Sequence, residues 1–214
     1  MAFDSDYTSF RTTVATWLDI GVSDVSASLT GDLITVAEDR IFREARTRDM
    51  ETSISTSIAS GLIAVPSGYV AMKFLYANTS PVQRLERRSA EWIYDNYPTR
   101  SADGIPVYFA RDATNFIFGP FPDSAYTVNG VYYKKLAAIT GVALNALFVT
   151  NPYLYLFACL AEAETLIGRD ERIPIWEAKY GKILASVNGM DKAEDQSGSA
   201  LQMRVGTRLN VKMG

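Results

Sequence analysis

Histidine is absent from the 214 residues, and cysteine occurs once, as Cys159. The absence of histidine removes the side chain that most often acts as a general acid or base near neutral pH, and with it the commonest metal ligand. It also excludes Ser-His-Asp and Cys-His catalytic arrangements. A single cysteine excludes an internal disulfide. Because Cys159 lies among apolar residues, we predict a buried structural thiol.

Long apolar runs and phosphate-binding motifs are also lacking. No apolar run reaches the ~18 residues needed to span a bilayer, and neither a Walker A loop nor a G-x-G-x-x-G motif occurs. The first ten residues, MAFDSDYTSF, lack the basic and apolar regions of a signal peptide. We therefore expect a protein made in a cytosol, with no membrane partner, no bound metal and no cofactor.

Carboxylates are the remaining candidates for a catalytic site. Glu162 and Glu164 are two residues apart on a predicted helix, so they point in different directions. Asp170 and Glu171 fit the start of a helix, and Asp123 fits a turn. We predict no catalytic residue. A carboxylate-dependent hydrolase, assembled from distant residues without a recognisable motif, is one alternative.

A nucleic-acid-binding module is the second alternative. Three arginines are close in sequence to three aromatic residues: Arg84, Arg87, Arg88, Trp92, Tyr94 and Tyr97. Such a set can contact phosphates and stack on bases. The chain, however, has 21 basic and 24 acidic residues and a net charge of −3. Affinity for nucleic acid grows with an excess of lysine and arginine, so the overall charge opposes this alternative.

Hydrophobic periodicity predicts helices toward both ends of the chain. A spacing near 3.6 predicts helices over 7–18 and 31–48, the second with a buried stripe and a charged, solvated, ion-paired face that includes Glu38. Later in the chain, Asn151-Pro152 predicts the start of a buried helix that ends at Gly168. Asp170 then caps a last helix, over 170–190.

The middle of the chain is rich in β-branched and aromatic residues and is divided by proline and glycine. We predict one short helix there, over 89–96 with Ser89 as N-cap. The predicted strands cover 53–58, 62–65, 71–76, 82–86, 107–111, 115–118 and 126–134. The fold class is therefore α+β. We expect a bundle of about four helices (1–51 and 137–190), an inserted antiparallel β-rich domain (52–136) and a linker with an extended C-terminal arm (191–214).

The C-terminal arm alternates apolar and polar residues in the sequence SALQMRVGTRLNVKMG. A period of two predicts a half-buried strand, yet no hairpin partner lies beside it. Residues 196–214 carry three of the 21 basic residues and no acid, so the net charge of the arm is +3 and that of residues 1–195 is −6.

We expect the arm to pair with another chain by β-augmentation. Return to the chain's own β-rich domain and ordering only on assembly are the alternatives. The predicted partner-binding residues are Leu201, Met203, Arg204, Val205, Arg208, Leu209, Val211 and Lys212.

Five short motifs follow one another along the chain. They are IPVYF at 105–109, FGPFPD at 118–123, VYYKKL at 131–136, NPYLY at 151–155 and DER at 170–172. In this order, and together with the two N-terminal helices, they resemble the head-to-tail adaptor, or connector, proteins of short-tailed bacteriophages. The resemblance covers about residues 7–187.

The resemblance implies a structural virion protein at the head–tail junction, assembled in the host cytoplasm. It implies a homo-oligomeric ring beneath the portal, a dodecamer to match it, through which DNA passes without sequence-specific binding. The implied partners are the portal protein, neighbouring copies of the chain and downstream tail proteins. The C-terminal arm would dock on the portal or on a neighbouring subunit.

Overall fold

The computed structural model describes residues 6–19, 27–101, 103–164, 168 and 170–197, with only the backbone at 27–29 and 191–197. Helices and sheets both occur in this part of the chain, so the predicted α+β class is confirmed. No helix among the described residues is long and apolar enough to cross a membrane.

Six α-helices occur in the described part of the chain. They are α1 (Tyr7–Trp17), α2 (Ala27–Glu44), α3 (Ala90–Asn96), α4 (Ala146–Thr150), α5 (Pro152–Glu162) and α6 (Ile173–Ser197), and a 3-10 turn spans Arg48–Met50. The predicted cap of α3 is confirmed, because the Ser89 hydroxyl accepts a hydrogen bond from the Trp92 backbone N–H. Pro152 occupies the first turn of α5, where its missing N–H costs nothing.

Three helix predictions need correction. The buried helix that was predicted to end at Gly168 is α5, which ends at Glu162. The helix predicted over 31–48 begins at Ala27 and ends at Glu44, and the chain beyond it is held by other partners. One of these is the side chain of Asn188, which accepts a hydrogen bond from the Arg46 N–H. Helix α4 was not predicted. Its N-cap is Asn145, whose side chain accepts from the Phe148 N–H.

Eight β-strands form two four-stranded sheets in the described residues. They are β1 (Glu51–Ser57), β2 (Leu62–Ala64), β3 (Tyr69–Ala77), β4 (Gln83–Arg84), β5 (Glu86–Arg87), β6 (Tyr108–Asp112), β7 (Asn115–Gly119) and β8 (Thr127–Lys134). The first sheet has the order β1-β8-β3-β4 and is antiparallel; Glu51 at the start of β1 pairs with Tyr133 near the end of β8. The second has the order β2-β7-β6-β5. Its β5–β6 pair is parallel, so the expectation of a wholly antiparallel region is wrong there.

The strand predicted over 82–86 is two strands in different sheets. The backbone N–H of Leu85 donates to Leu75 in the first sheet, whereas that of Glu86 donates to Val107 beside the second. Leu85 is only 4 % exposed and packs in the core between the sheets. The chain therefore changes sheets at this buried leucine, and a period of two cannot reveal such a change.

The helices share one hydrophobic core. It joins side chains of α1, α2, α4, α5 and α6, among them Phe10, Ile41, Phe148 and Tyr180. Every residue of α5 from Leu154 to Ala161 is buried, as its uniformly apolar sequence predicts.

The sheets enclose a second core, to which Leu75 and Val128 contribute from one sheet and Phe116 and Phe118 from the other. Helix α3 covers the outer side of the second sheet through Ile93. From this separation of the two cores we propose that residues 52–136 form a domain inserted into a bundle of residues 1–51 and 137–190.

Gly130 in β8 lies directly against β3 with no room for a side chain, and its replacement provides a test of the fold. An added Cβ would lie 2.3 Å from the Phe74 carbonyl oxygen and 2.7 Å from Leu75 Cδ2. Because the backbone of the central strands cannot easily move, we expect Gly130→Ala to lower the free energy of unfolding by about 1–3 kcal/mol. Urea denaturation measures this change.

Gly141→Ala is the matched control, since a Cβ there has no other atom within 4 Å. We expect it to change stability by less than about 0.5 kcal/mol. Equal effects of the two substitutions would contradict the described packing of β3 against β8.

Candidate functional site

The eight predicted partner-binding residues all lie outside the described residues. The structure does describe the helix that leads to them. Residues 191–197, predicted as part of a linker, instead continue α6 to Ser197. Their composition, DKAEDQS, contains several good helix formers, which explains the continuation. The arm therefore follows a helix of 25 residues.

Helix α6 is held against the segment that precedes β1. The Asn188 side chain accepts from the Arg46 N–H at 2.8 Å and donates to the Glu44 carbonyl at 3.3 Å. Two residues further on, Met190 borders a cavity of about 250 Å³ whose lining includes Arg48 and Asp49. Helix α6 is thus held close to the start of β1 at Asn188 and Met190, before its last seven residues.

Arg40 joins three helices through ion pairs. Its guanidinium lies 2.9 Å from carboxylate oxygens of both Glu162 in α5 and Glu177 in α6, and 3.3 Å from Glu44. It also lies 4.4 Å from the centre of the Tyr180 ring, whose hydroxyl donates to Glu44. The hydrogen bond from Arg40 lowers the pKa of Glu177. The predicted ion-paired face is therefore correct for Arg40, and Glu162, weighed above as a catalytic carboxylate, has a structural partner.

Glu38 departs from the predicted solvated face, because its side chain is only 3 % exposed. One carboxylate oxygen accepts from the Ile139 N–H at 3.0 Å and from the Asn145 side chain at 3.4 Å. Burial raises its pKa to about 7. The position could have been found from sequence, since Glu38 follows Ile34 by four residues and precedes Ile41 by three. It therefore belongs to the buried stripe.

Asn145 connects Glu38 to two helices. Its amide nitrogen donates to the Ala137 carbonyl at 3.0 Å, while its oxygen accepts from the Phe148 N–H and the Tyr155 hydroxyl, both at 2.9 Å. All these partners are internal groups of the chain. The network therefore fastens the segment that returns from β8 to the helices.

Among the residues of the nucleic-acid hypothesis, Arg88 contacts Trp92 and an acidic neighbour. Arg84, Arg87 and Arg88 are exposed. The Arg88 guanidinium, however, pairs with Glu86 at 3.0 Å and lies 5.2 Å and 5.3 Å from the ring centres of Trp92 and Tyr108. The same segment carries three acids, Glu86, Glu91 and Asp95, which balance the three arginines. It therefore offers no excess of positive charge for phosphates.

The other candidates for chemistry have structural roles. Cys159 is fully buried, as predicted, and burial raises the pKa of its thiol. Asp170 accepts from the backbone N–H and the guanidinium of Arg172, and Asp123 accepts from the Tyr126 hydroxyl. Within the described ranges, no group of three or more cysteine, aspartate or glutamate side chains is placed to hold a metal ion.

Comparison with known proteins identifies one family. Residues 5–206 match the family model described as SU10 adaptor protein. The match confirms the resemblance to phage head-to-tail adaptors that the sequence motifs indicated. A search of curated proteins found no match.

The buried carboxyl group makes stability depend on pH in a defined direction. The pKa of Glu38 is about 7 in the folded protein against an ordinary value of 4.5, so folding takes up a proton between these values. Its stabilising contribution is complete below pH 4.5 and is lost as pH rises through 7. We expect Glu38→Gln, which cannot ionise, to gain stability relative to the natural protein from pH 5 to 8, on the order of 2 kcal/mol.

Urea denaturation at a series of pH values measures this difference. Asp39→Asn is the matched control, because Asp39 is exposed and pairs with Lys135 at the surface. A difference between Glu38→Gln and the natural protein that stays constant across this range would contradict the assignment.

Proposed function

We propose that this chain, which belongs to the SU10 adaptor protein family of bacteriophage structural adaptors, forms a ring beneath the portal at the head–tail junction of the virion. The observation that carries the proposal is the family match over residues 5–206. The ring is a dodecamer that matches the portal, assembled in the host cytoplasm. Downstream tail proteins attach to its other side.

The rigid helical bundle is consistent with this structural role. Helix α5 is buried along most of its length, and Arg40 joins α2, α5 and α6. A subunit that positions a neighbour needs such a fixed core. DNA passes through the ring without sequence-specific contacts, which agrees with the net charge of −3. The role is structural rather than enzymatic.

The arm supplies the attachment. Leu201, Met203, Val205, Leu209 and Val211 bury one face in the portal or in a neighbouring subunit, and backbone hydrogen bonds add affinity by β-augmentation. On the other face, Arg204, Arg208 and Lys212 meet acidic groups or solvent. The charge of +3 on the arm against −6 on residues 1–195 favours attraction to a neighbouring copy.

Removal of the arm tests this proposal. Deletion of residues 200–214 should leave the body folded, with a cooperative unfolding transition, but abolish attachment to DNA-filled heads, measured by co-sedimentation. Val205→Asp combined with Leu209→Asp should weaken attachment at least about tenfold, because each carboxylate would have to enter an apolar groove.

The control places the same charges on the other face of the arm, as Gln202→Asp with Asn210→Asp. It should bind heads within about threefold of the natural protein, because exposed charges cost little. Heads that bind the truncated adaptor as tightly as the complete one would refute the role of the arm.

A further inference from the structure

Strand β1 is the long edge strand of the two sheets. Among the described residues the four edge strands are β1, β4, β2 and β5. Strands β4 and β5 have two residues each and β2 has three, whereas β1 has seven. Short edge strands are one way in which proteins avoid pairing with other chains. Strand β1 lacks this protection.

Other protections are also missing from β1. Its sequence, ETSISTS, contains no proline and no lysine. Its seven residues pair with β8 in one continuous register, whereas the β3–β8 pair contains two register shifts. No strand of the described chain pairs with the outer edge of β1. A regular seven-residue edge of this kind is a template for a further strand.

We propose that the C-terminal arm of the same chain occupies this edge before assembly. The inference rests on the proposed function in one respect: the same arm later leaves for the portal or for a neighbour. The arm has a strand pattern without a hairpin partner beside it in the sequence, and among the described strands β1 is the long edge strand that pairs on one side only.

Helix α6 passes close to the segment that precedes β1. Asn188 contacts Arg46, and Met190 borders the cavity lined by Arg48 and Asp49, two residues before β1 begins. From Met190 the helix continues to Ser197, roughly 10 Å at 1.5 Å per residue. Residues 198–214 then span up to about 55 Å when extended, more than twice the roughly 23 Å of β1. The arm is therefore long enough to reach β1 and cover it.

The two faces of the arm match the two faces of β1. Ile54 is half-buried and packs on the core between the sheets, whereas Ser53, Ser55 and Ser57 are exposed on the opposite face. A strand added beside β1 would extend the apolar face of the sheet on one side and its polar face on the other. The apolar residues of the arm would cover Ile54, and its polar residues, including Gly206 and Asn210, would lie beside the serines.

The covalent connection favours the chain's own arm over that of another copy. A tethered segment that can reach its site has an effective concentration in the millimolar range. A second copy of the chain would have to exceed that concentration to compete. When the arm docks on β1 of its own chain, both the edge of β1 and the apolar face of the arm are covered. They stay covered until a partner offers the arm more contacts.

Disulfide trapping in the free subunit tests the inference. Ser55→Cys is combined in turn with Gln202→Cys, Gly206→Cys or Asn210→Cys, all on the polar face of the arm. Native Cys159 is fully buried and does not interfere. At least one pair should form an intrachain disulfide in the monomer under mild oxidation, identified by peptide mass spectrometry. The control replaces Ser55→Cys by Val142→Cys, at a residue 99 % exposed in the segment after β8.

Three results would overturn the inference. Trapping no greater than in the Val142→Cys controls would show that the arm does not lie on β1. Disulfide-linked dimers without intrachain product would assign the edge to the arm of a second copy. Hydrogen exchange gives an independent readout: β1 amides that point away from β8 should lose about tenfold protection when residues 200–214 are deleted, and unchanged protection would overturn the inference.

The head-binding assay separates this inference from the proposed function. Absence of trapping together with loss of head attachment on deletion would refute docking on β1 and leave the attachment role standing. Trapping together with normal attachment of the truncated adaptor would refute the attachment role alone.

Discussion

The buried carboxyl group of Glu38 is the interaction on which the connection between the two parts of the chain depends. It binds the backbone of Ile139 and the side chain of Asn145, and Asn145 in turn begins α4 and binds Tyr155 in α5. The segment that leaves the β-rich region is thereby placed on α2 and directed into the helical core. A buried carboxyl without such partners would cost more free energy than a small domain can spare.

Much of the fold could be predicted from sequence because its signals are local. The uniformly apolar α5, the Pro152 start and the Ser89 cap each follow from neighbouring residues. Glu38 shows the limit of prediction from residue type. A glutamate is expected on the solvent-exposed face, whereas the spacing of Glu38 from Ile34 and Ile41 indicates the buried face. The change of sheets at Leu85 and the parallel β5–β6 pair depend on contacts between distant residues. No periodicity in one segment carries that information.

The partner-binding role of the arm stays a prediction from the sequence, whereas the edge proposed for it is visible only in the structure. Alternation in the arm indicated a strand without a neighbour in sequence, and the family match agrees with an adaptor. The seven-residue edge of β1, which we propose as the binding site of the arm, could not be predicted from the sequence. It arises because β1 pairs with β8, about 75 residues later, and because Asn188 holds α6 beside Arg46. The charged face of α2 likewise predicted ion pairs for Arg40. It did not predict the contact of Arg40 with the Tyr180 ring.

The register of β1 on β8 also has a consequence for how this chain can vary. Glu51 and Tyr133 are cross-strand neighbours, so the chain enters and leaves the proposed insertion at points only about 5 Å apart. The proposed insertion therefore starts and ends at neighbouring points of the helical part, like a loop whose two ends are held together. The entropy of closing a loop changes slowly with its length. Strands can therefore be lengthened, shortened or given new edge residues during evolution while the helices keep their arrangement.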